Sequence, residues 1–82
     1  MMKTLLVTEY LTASAMLAAG ARFLRADPPK GARGKCALIF EDESGEASRL
    51  LESHQRGTLL VSTREFAAAI GMMKSTLFQA RG

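Results

Sequence analysis

The chain has 82 residues, a formal net charge of +3 and 48% hydrophobic residues, values that fit one globular domain, 1–82, and exclude a disordered chain. Its single cysteine, Cys36, excludes an internal disulfide, and a reducing compartment suits it. No apolar run is long enough to cross a membrane, and polar residues interrupt the N-terminal segment where a secretory signal would be apolar, so we expect a cytoplasmic protein with no membrane partner.

The first part of the chain predicts a short strand followed by a helix. Residues 3–7 are compatible with a strand, and Thr8 is a candidate N-cap for a helix over about 8–19. Gly20 stands where a glycine commonly ends a helix, so the helix is expected to stop there.

The next part predicts a β-hairpin with arms at about 21–26 and 35–41. The residues between the arms, 27–34, are rich in Pro and Gly, which favour a loop. Three side chains of the second arm alternate onto one face, as expected for a half-buried strand: Cys36, Leu38 and Phe40.

The last part predicts two helices, over about 44–56 and 62–79, with a short strand at 58–61 between them. Ser62 and Glu65 have the spacing of a capping box at the start of the final helix. The whole order predicts an α+β domain with helices on one face of a small antiparallel sheet. The expected core residues lie on the apolar faces of these elements: Leu38, Phe40, Leu50, Leu51, Phe66, Ile70 and Leu77.

A set of caps and core positions runs along nearly the whole chain: Thr8 with residues 15–20, the strand end at 38–42, Gly57 with Leu59 and Val61, and then Phe66, Ala69 and Lys74. With these residues in this order, the chain resembles a small family of phage and prophage genomes that is catalogued as a domain of unknown function. The resemblance implies a fold and a phage-like context. The family has no established activity to transfer.

No set of residues predicts catalysis, a cofactor or a metal ion. Cys36 is predicted on the core face of a strand and His54 at the edge of an apolar helix face, and no third residue stands out as an orienting group. The acidic residues that follow the hairpin do not have the spacing of a calcium loop, and helix capping explains them: Glu41, Asp42, Glu43 and Glu46. We therefore expect a non-enzymatic protein without a small-molecule substrate.

The predicted hairpin carries a concentration of basic side chains: Arg22, Arg25, Lys30, Arg33 and Lys35. The segment 31–35 contains Gly and Lys but lacks the spacing and the following helix of a phosphate loop. These side chains favour either a solvated hairpin tip or a basic ribbon that contacts nucleic-acid phosphates. No aromatic residue alternates with them, so a stacking platform for single strands is not expected.

The final helix carries a stripe of small residues, with Ala67, Gly71 and Ser75 four positions apart. Such a stripe allows the close approach of another helix, either inside the domain or in a complex. Met72, Met73 and Phe78 would extend it as an adaptable apolar surface.

Three functional classes follow in order of preference. The first is a small protein-interaction module of phage or mobile-element type that binds itself, as a homo-oligomer, or binds a host or phage protein; an inhibitor of a host defence complex would belong to this class. The alternative is an accessory protein that binds nucleic acid through the basic hairpin, residues 22–35. An enzyme ranks last.

Overall fold

The computed structural model of the protein describes residues 2–29 and 34–80. In them the chain forms β1 Thr4–Val7, α1 Tyr10–Ala18, β2 Phe23–Asp27, β3 Ala37–Glu41, α2 Glu46–Gln55 and α3 Thr63–Ala80. The strands form an antiparallel sheet in the order β1-β3-β2. The α+β class, the hairpin and the N-terminal strand are therefore confirmed.

The central strand of the sheet is β3, which pairs with β1 on one side and β2 on the other. Phe40 lies opposite Leu5 of β1 and opposite Phe23 of β2. The Phe23 and Phe40 rings meet edge to face with centroids 5.4 Å apart, a favourable arrangement for two aromatic rings. Both Leu38 and Phe40 are 0% exposed, so β3 provides the centre of the core.

The helices form a layer in which α1 packs against both α2 and α3. Buried side chains from every element except β2 meet in this core: Val7, Ala13, Met16, Ala21, Leu38, Phe40, Ala47 and Met73. Small residues dominate the buried face of α1, which lets the neighbouring helices approach it closely.

Gly20 ends α1, as its position in the sequence predicts, and Gly57 ends α2 in the same way. Gly20 follows α1 and Gly57 follows α2, both with positive φ, of 103° and 74°. After each glycine the next backbone N–H returns to the helix: Ala21 N–H donates to Met16 O at 2.9 Å, and Thr58 N–H donates to Ser53 O at 2.9 Å. Both helices therefore end in a Schellman motif, which needs the left-handed backbone that glycine adopts without strain.

The Ser62 half of the capping box predicted for α3 is confirmed, whereas the predicted cap of α1 is wrong. The Ser62 hydroxyl oxygen accepts a hydrogen bond from the Glu65 backbone N–H at 3.0 Å. The N-cap residue of α1 is Glu9 and not Thr8, and no side-chain capping bond forms there. Glu9 itself has an extended backbone, with φ −99° and ψ 122°, so the helix begins later than predicted.

The predicted strand at 58–61 is also wrong, because these residues form an irregular connection between α2 and α3. The Thr58 hydroxyl and backbone N–H both donate to the Ser53 carbonyl and hold the start of the connection against α2. The side chain of Leu60 is 92% exposed. The apolar pattern of residues 58–61 predicted a strand, but this segment pairs with none of the three described strands.

The predicted core residues are correct for the sheet, whereas α3 buries different residues from two of those predicted. Leu38 and Phe40 are buried, and Leu50, Leu51 and Leu77 pack against the core while partly buried. Phe66 and Ile70 are only half-buried. The residues that α3 buries are Ala69 and Met73, so the helix is rotated to place a small side chain where it meets its neighbours.

We predict that Phe40→Ala lowers the free energy of unfolding by about 3–5 kcal/mol, because it leaves a cavity at the centre of the core. Phe66→Ala should cost less, since part of this ring is in solvent in the folded state. Urea denaturation of both variants measures the difference. A loss for Phe66→Ala equal to or greater than that for Phe40→Ala would contradict the described core.

Candidate interaction surfaces

The outward face of α3 carries the predicted partner-binding residues. Ala67, Gly71, Ser75 and Phe78 follow one another at helical spacing, and all four are exposed. Phe78 is 81% exposed and Met72 is 58% exposed. The opposite face of the helix buries Ala69 and Met73, so the prediction that Met73 extends the exposed surface is wrong. One helix therefore presents a core face and a separate exposed face, on which Lys74, three residues after Gly71 and four before Phe78, lies among the small and apolar side chains.

Ala67, Gly71 and Ser75 are exposed among residues 2–29 and 34–80, so the small-residue stripe of α3 is not covered by the described part of the domain. A Cβ atom placed on Gly71 would have nothing within 4 Å outside the backbone of its own helix. Of the two interpretations of the stripe, internal packing against α1 is therefore wrong. Ala69, two positions from both Ala67 and Gly71, is the small residue buried on the core side of α3.

The basic side chains of the hairpin are partly engaged with carboxylates. Arg22 Nε lies 3.3 Å from Glu41 Oε2, and Arg25 Nε lies 3.1 Å from Asp27 Oδ1. Lys35 is exposed just before β3. The remaining two predicted contacts, Lys30 and Arg33, lie outside the described residues. Since a phosphate group would have to compete with these ion pairs, nucleic-acid binding stays a prediction to which the described residues add no support.

Asp42 and Glu46 serve helix α2, as the sequence predicts, whereas Glu41, predicted with them, lies in β3. Asp42 is buried, and its Oδ1 accepts a hydrogen bond from the Ser48 backbone N–H at 3.0 Å. Its Oδ2 accepts a second bond from the Ser48 hydroxyl. This carboxylate thus caps the first turn of α2 from across a turn of the chain, while Glu41 pairs with Arg22.

These contacts determine the protonation of Asp42. Hydrogen bonds from the Ser48 hydroxyl and then the Ser48 backbone N–H lower the pKa of Asp42, and they outweigh burial, which acts in the opposite direction. The positive charge of Lys3 and the Ala47 backbone N–H lower the pKa further. The carboxylate is therefore charged at neutral pH.

The surroundings of Cys36 and His54 give each residue a role in packing or in joining helices. Cys36 is buried and lines a cavity together with Tyr10 and Leu77. His54 Nε2 lies 3.3 Å from the Thr12 hydroxyl, whose oxygen is also 3.2 Å from Glu9 Oε1. This chain of contacts joins α2 to α1. Within residues 2–29 and 34–80, no three His, Cys, Asp or Glu side chains form a group that could hold a metal ion.

The comparisons with known proteins add no relative. No family model, curated protein or solved structure matches the chain. The resemblance to a phage family therefore stays a prediction. None of the described helices combines the length and the apolar character needed to span a membrane.

We predict that Asp42 contributes stability that acid removes. Because its pKa is lower in the folded state than in the unfolded chain, the contribution is complete above the unfolded value of about 4 and is lost as the pH falls through the folded pKa. Asp42→Asn, which does not titrate, should be less stable than the unmodified chain at pH 7, and the difference should shrink below about pH 4. Urea denaturation from neutral to acidic pH measures it. A difference independent of pH would contradict the described role.

We predict that Gly71→Ala raises the free energy of unfolding by about 0.5–1 kcal/mol, because alanine restricts the unfolded chain and its methyl group enters open space. The matched change Ala67→Gly, on the same exposed stripe, should lower it by a similar amount. Thermal or urea unfolding measures both. Destabilisation by Gly71→Ala would mean that the stripe packs against something within the domain.

Proposed function

We propose that the protein is a small non-enzymatic interaction module of phage or mobile-element type, which binds a host or phage protein through the outward face of α3. The observation that carries the proposal is the exposure of Phe78, 81%, at the end of a stripe of small residues. A large aromatic ring on a rigid helix contributes nothing to the core when it is in solvent, and such rings are favoured anchors at protein interfaces.

The composition of this face supports a partner that approaches closely. Ala67, Gly71 and Ser75 have short side chains, so the backbone of a partner helix can lie close to the backbone of α3. Met72 beside them is flexible and adapts to the shape of a partner. With 18 residues, α3 is roughly 27 Å long, enough for several turns of contact. The partner expected from this face is an apolar or amphipathic helix with a pocket for Phe78.

A photo-crosslinking amino acid at position 78 tests the proposal in cells that naturally carry the gene. We expect a specific covalent adduct with one protein, and none from the same amino acid at position 60, where Leu60 is also exposed but lies outside α3. A partner identified by mass spectrometry is then purified, and its affinity for the protein is measured by calorimetry.

Two substitutions decide whether α3 forms the interface. Gly71→Leu inserts a bulky side chain into the stripe and Phe78→Ser removes the anchor; each should weaken binding at least about tenfold, as expected for central interface positions. Leu60→Ser is the control and should bind normally. Full affinity in both α3 variants would refute the proposed interface. If the crosslinked protein is a second copy of this chain, the α3 face serves self-association and the proposal of a host or phage partner is wrong.

A further inference from the structure

The outer edge of β1 is unpaired in the described part of the chain, since β1 has a hydrogen-bonded neighbour, β3, on one side only. The Asp42 backbone N–H donates to the Lys3 carbonyl at 2.8 Å, and Leu5 and Val7 lie opposite Phe40 and Leu38. Hydrogen-bonded pairs alternate along an antiparallel ladder. The backbone N–H and C=O groups of Thr4 and Leu6 therefore point away from the sheet.

The two edges of the sheet differ in how they are protected. The strand at the other edge, β2, has a bulge between Phe23 and Arg25, an ion pair between Arg25 and Asp27, and a proline directly after its last residue. Bulges, charges and prolines are the usual means of preventing edge-to-edge pairing. None of them occurs in Thr4–Val7, where Leu6 is 58% exposed instead.

We propose that β1 pairs antiparallel with β1 of a second copy of the chain, which joins two three-stranded sheets into one sheet of six strands. The pairing is symmetric, because the same edge is used by both copies. It satisfies the outward backbone groups of Thr4 and Leu6 and covers the exposed Leu6 side chain.

The side chains select one register for this pairing. With Leu6 opposite Leu6 of the second copy, Lys3 lies opposite Glu9 of the second copy, and the contact occurs twice by symmetry. Both residues are exposed, and Glu9 has an extended backbone with φ −99° and ψ 122°, so it can continue the strand. Opposite charges across a strand pair are stabilising.

The neighbouring registers lose this complementarity. A shift by two residues in one direction places Lys3 opposite Val7 of the second copy, and a shift in the other direction places Leu5 opposite Glu9. Only the register centred on Leu6 pairs the charges with each other and Leu5 with Val7. Charge complementarity of the edge with itself is the reason for choosing a second copy as the occupant.

Sedimentation velocity over a concentration series tests the pairing with a matched pair of variants. The unmodified chain should form a species of twice the monomer mass. Leu6→Lys places two ammonium groups at the symmetry axis and should give a monomer with unchanged circular dichroism, because a lysine on a free edge is tolerated. Leu60→Lys, an equal change at an exposed leucine outside the sheet, should remain dimeric.

Charge reversal tests the register. If Leu6→Lys does not fold, the charge-reversal variants alone decide whether β1 pairs with β1 of a second copy. Lys3→Glu and Glu9→Lys should each weaken the dimer about tenfold, since each makes two like-charge contacts. The double variant should regain the dimer, although it loses both the Lys3 charge beside Asp42 and the Glu9 contact with Thr12. Recovery despite a less stable monomer can come only from a restored contact between the copies.

The inference is independent of the function proposed for α3, so Gly71→Leu and Phe78→Ser should leave the dimer intact. A monomeric unmodified chain at every concentration would overturn the edge pairing. The edge pairing would also be overturned by a dimer that survives Leu6→Lys, or by one that is not regained in the double charge reversal. Loss of the dimer in the α3 variants would overturn it as well, because self-association would then belong to α3.

Discussion

The pairing of β3 with strands on both of its sides is the interaction on which the rest of the structure depends. Leu38 and Phe40 are completely buried on the face that the helices cover, and Ile39 is buried on the opposite face. The backbone of β3 is bonded to both neighbours: Leu5 and Phe23 lie on either side of Phe40. Buried residues of all three helices meet Leu38 and Phe40 in one core, so the packing of the helices depends on this strand.

A chain of this size cannot cover every apolar surface that its elements present. Burial of Leu38, Phe40, Met16 and Met73 uses one face of the sheet and one face of each helix. The outward stripe of α3 and the outer edge of β1 remain outside this core, the first in the helix layer and the second in the sheet. Small domains commonly gain stability from association, and the two surfaces differ in kind: a side-chain face for a helix and a backbone edge for a strand.

Local signals in the sequence predicted the parts of the fold that local interactions determine. The glycine stops after α1 and α2, the Ser62 cap and the alternation around Leu38 each depend on a few neighbouring residues. The strand order could not be predicted in this way, because β1 and β3 are separated by thirty or more residues and pair through their backbones. The rotation of α3 toward Ala69 also depends on the shape of its neighbours and not on its own apolar pattern.

The candidate sites show the same limit. The small-residue stripe of α3 could be read from its spacing, but whether it faced α1 or solvent depended on that rotation. Charge runs identified the basic hairpin and the acidic segment, yet Arg22 and Glu41 come together only because β2 and β3 pair. The unpaired edge of β1 left no signal in the sequence, because an exposed edge is a property of the finished sheet.

Native-state hydrogen exchange of the backbone amides tests the central position of β3 most directly. If β3 organises the fold, the amides of Leu38, Ile39 and Phe40 exchange only on global unfolding and are the slowest in the protein. The amides on the outward face of α3 should exchange faster, by local opening. Slowest exchange in α3, with β3 amides released before the helices unfold, would contradict the account and place the stable centre of the molecule in the helix layer.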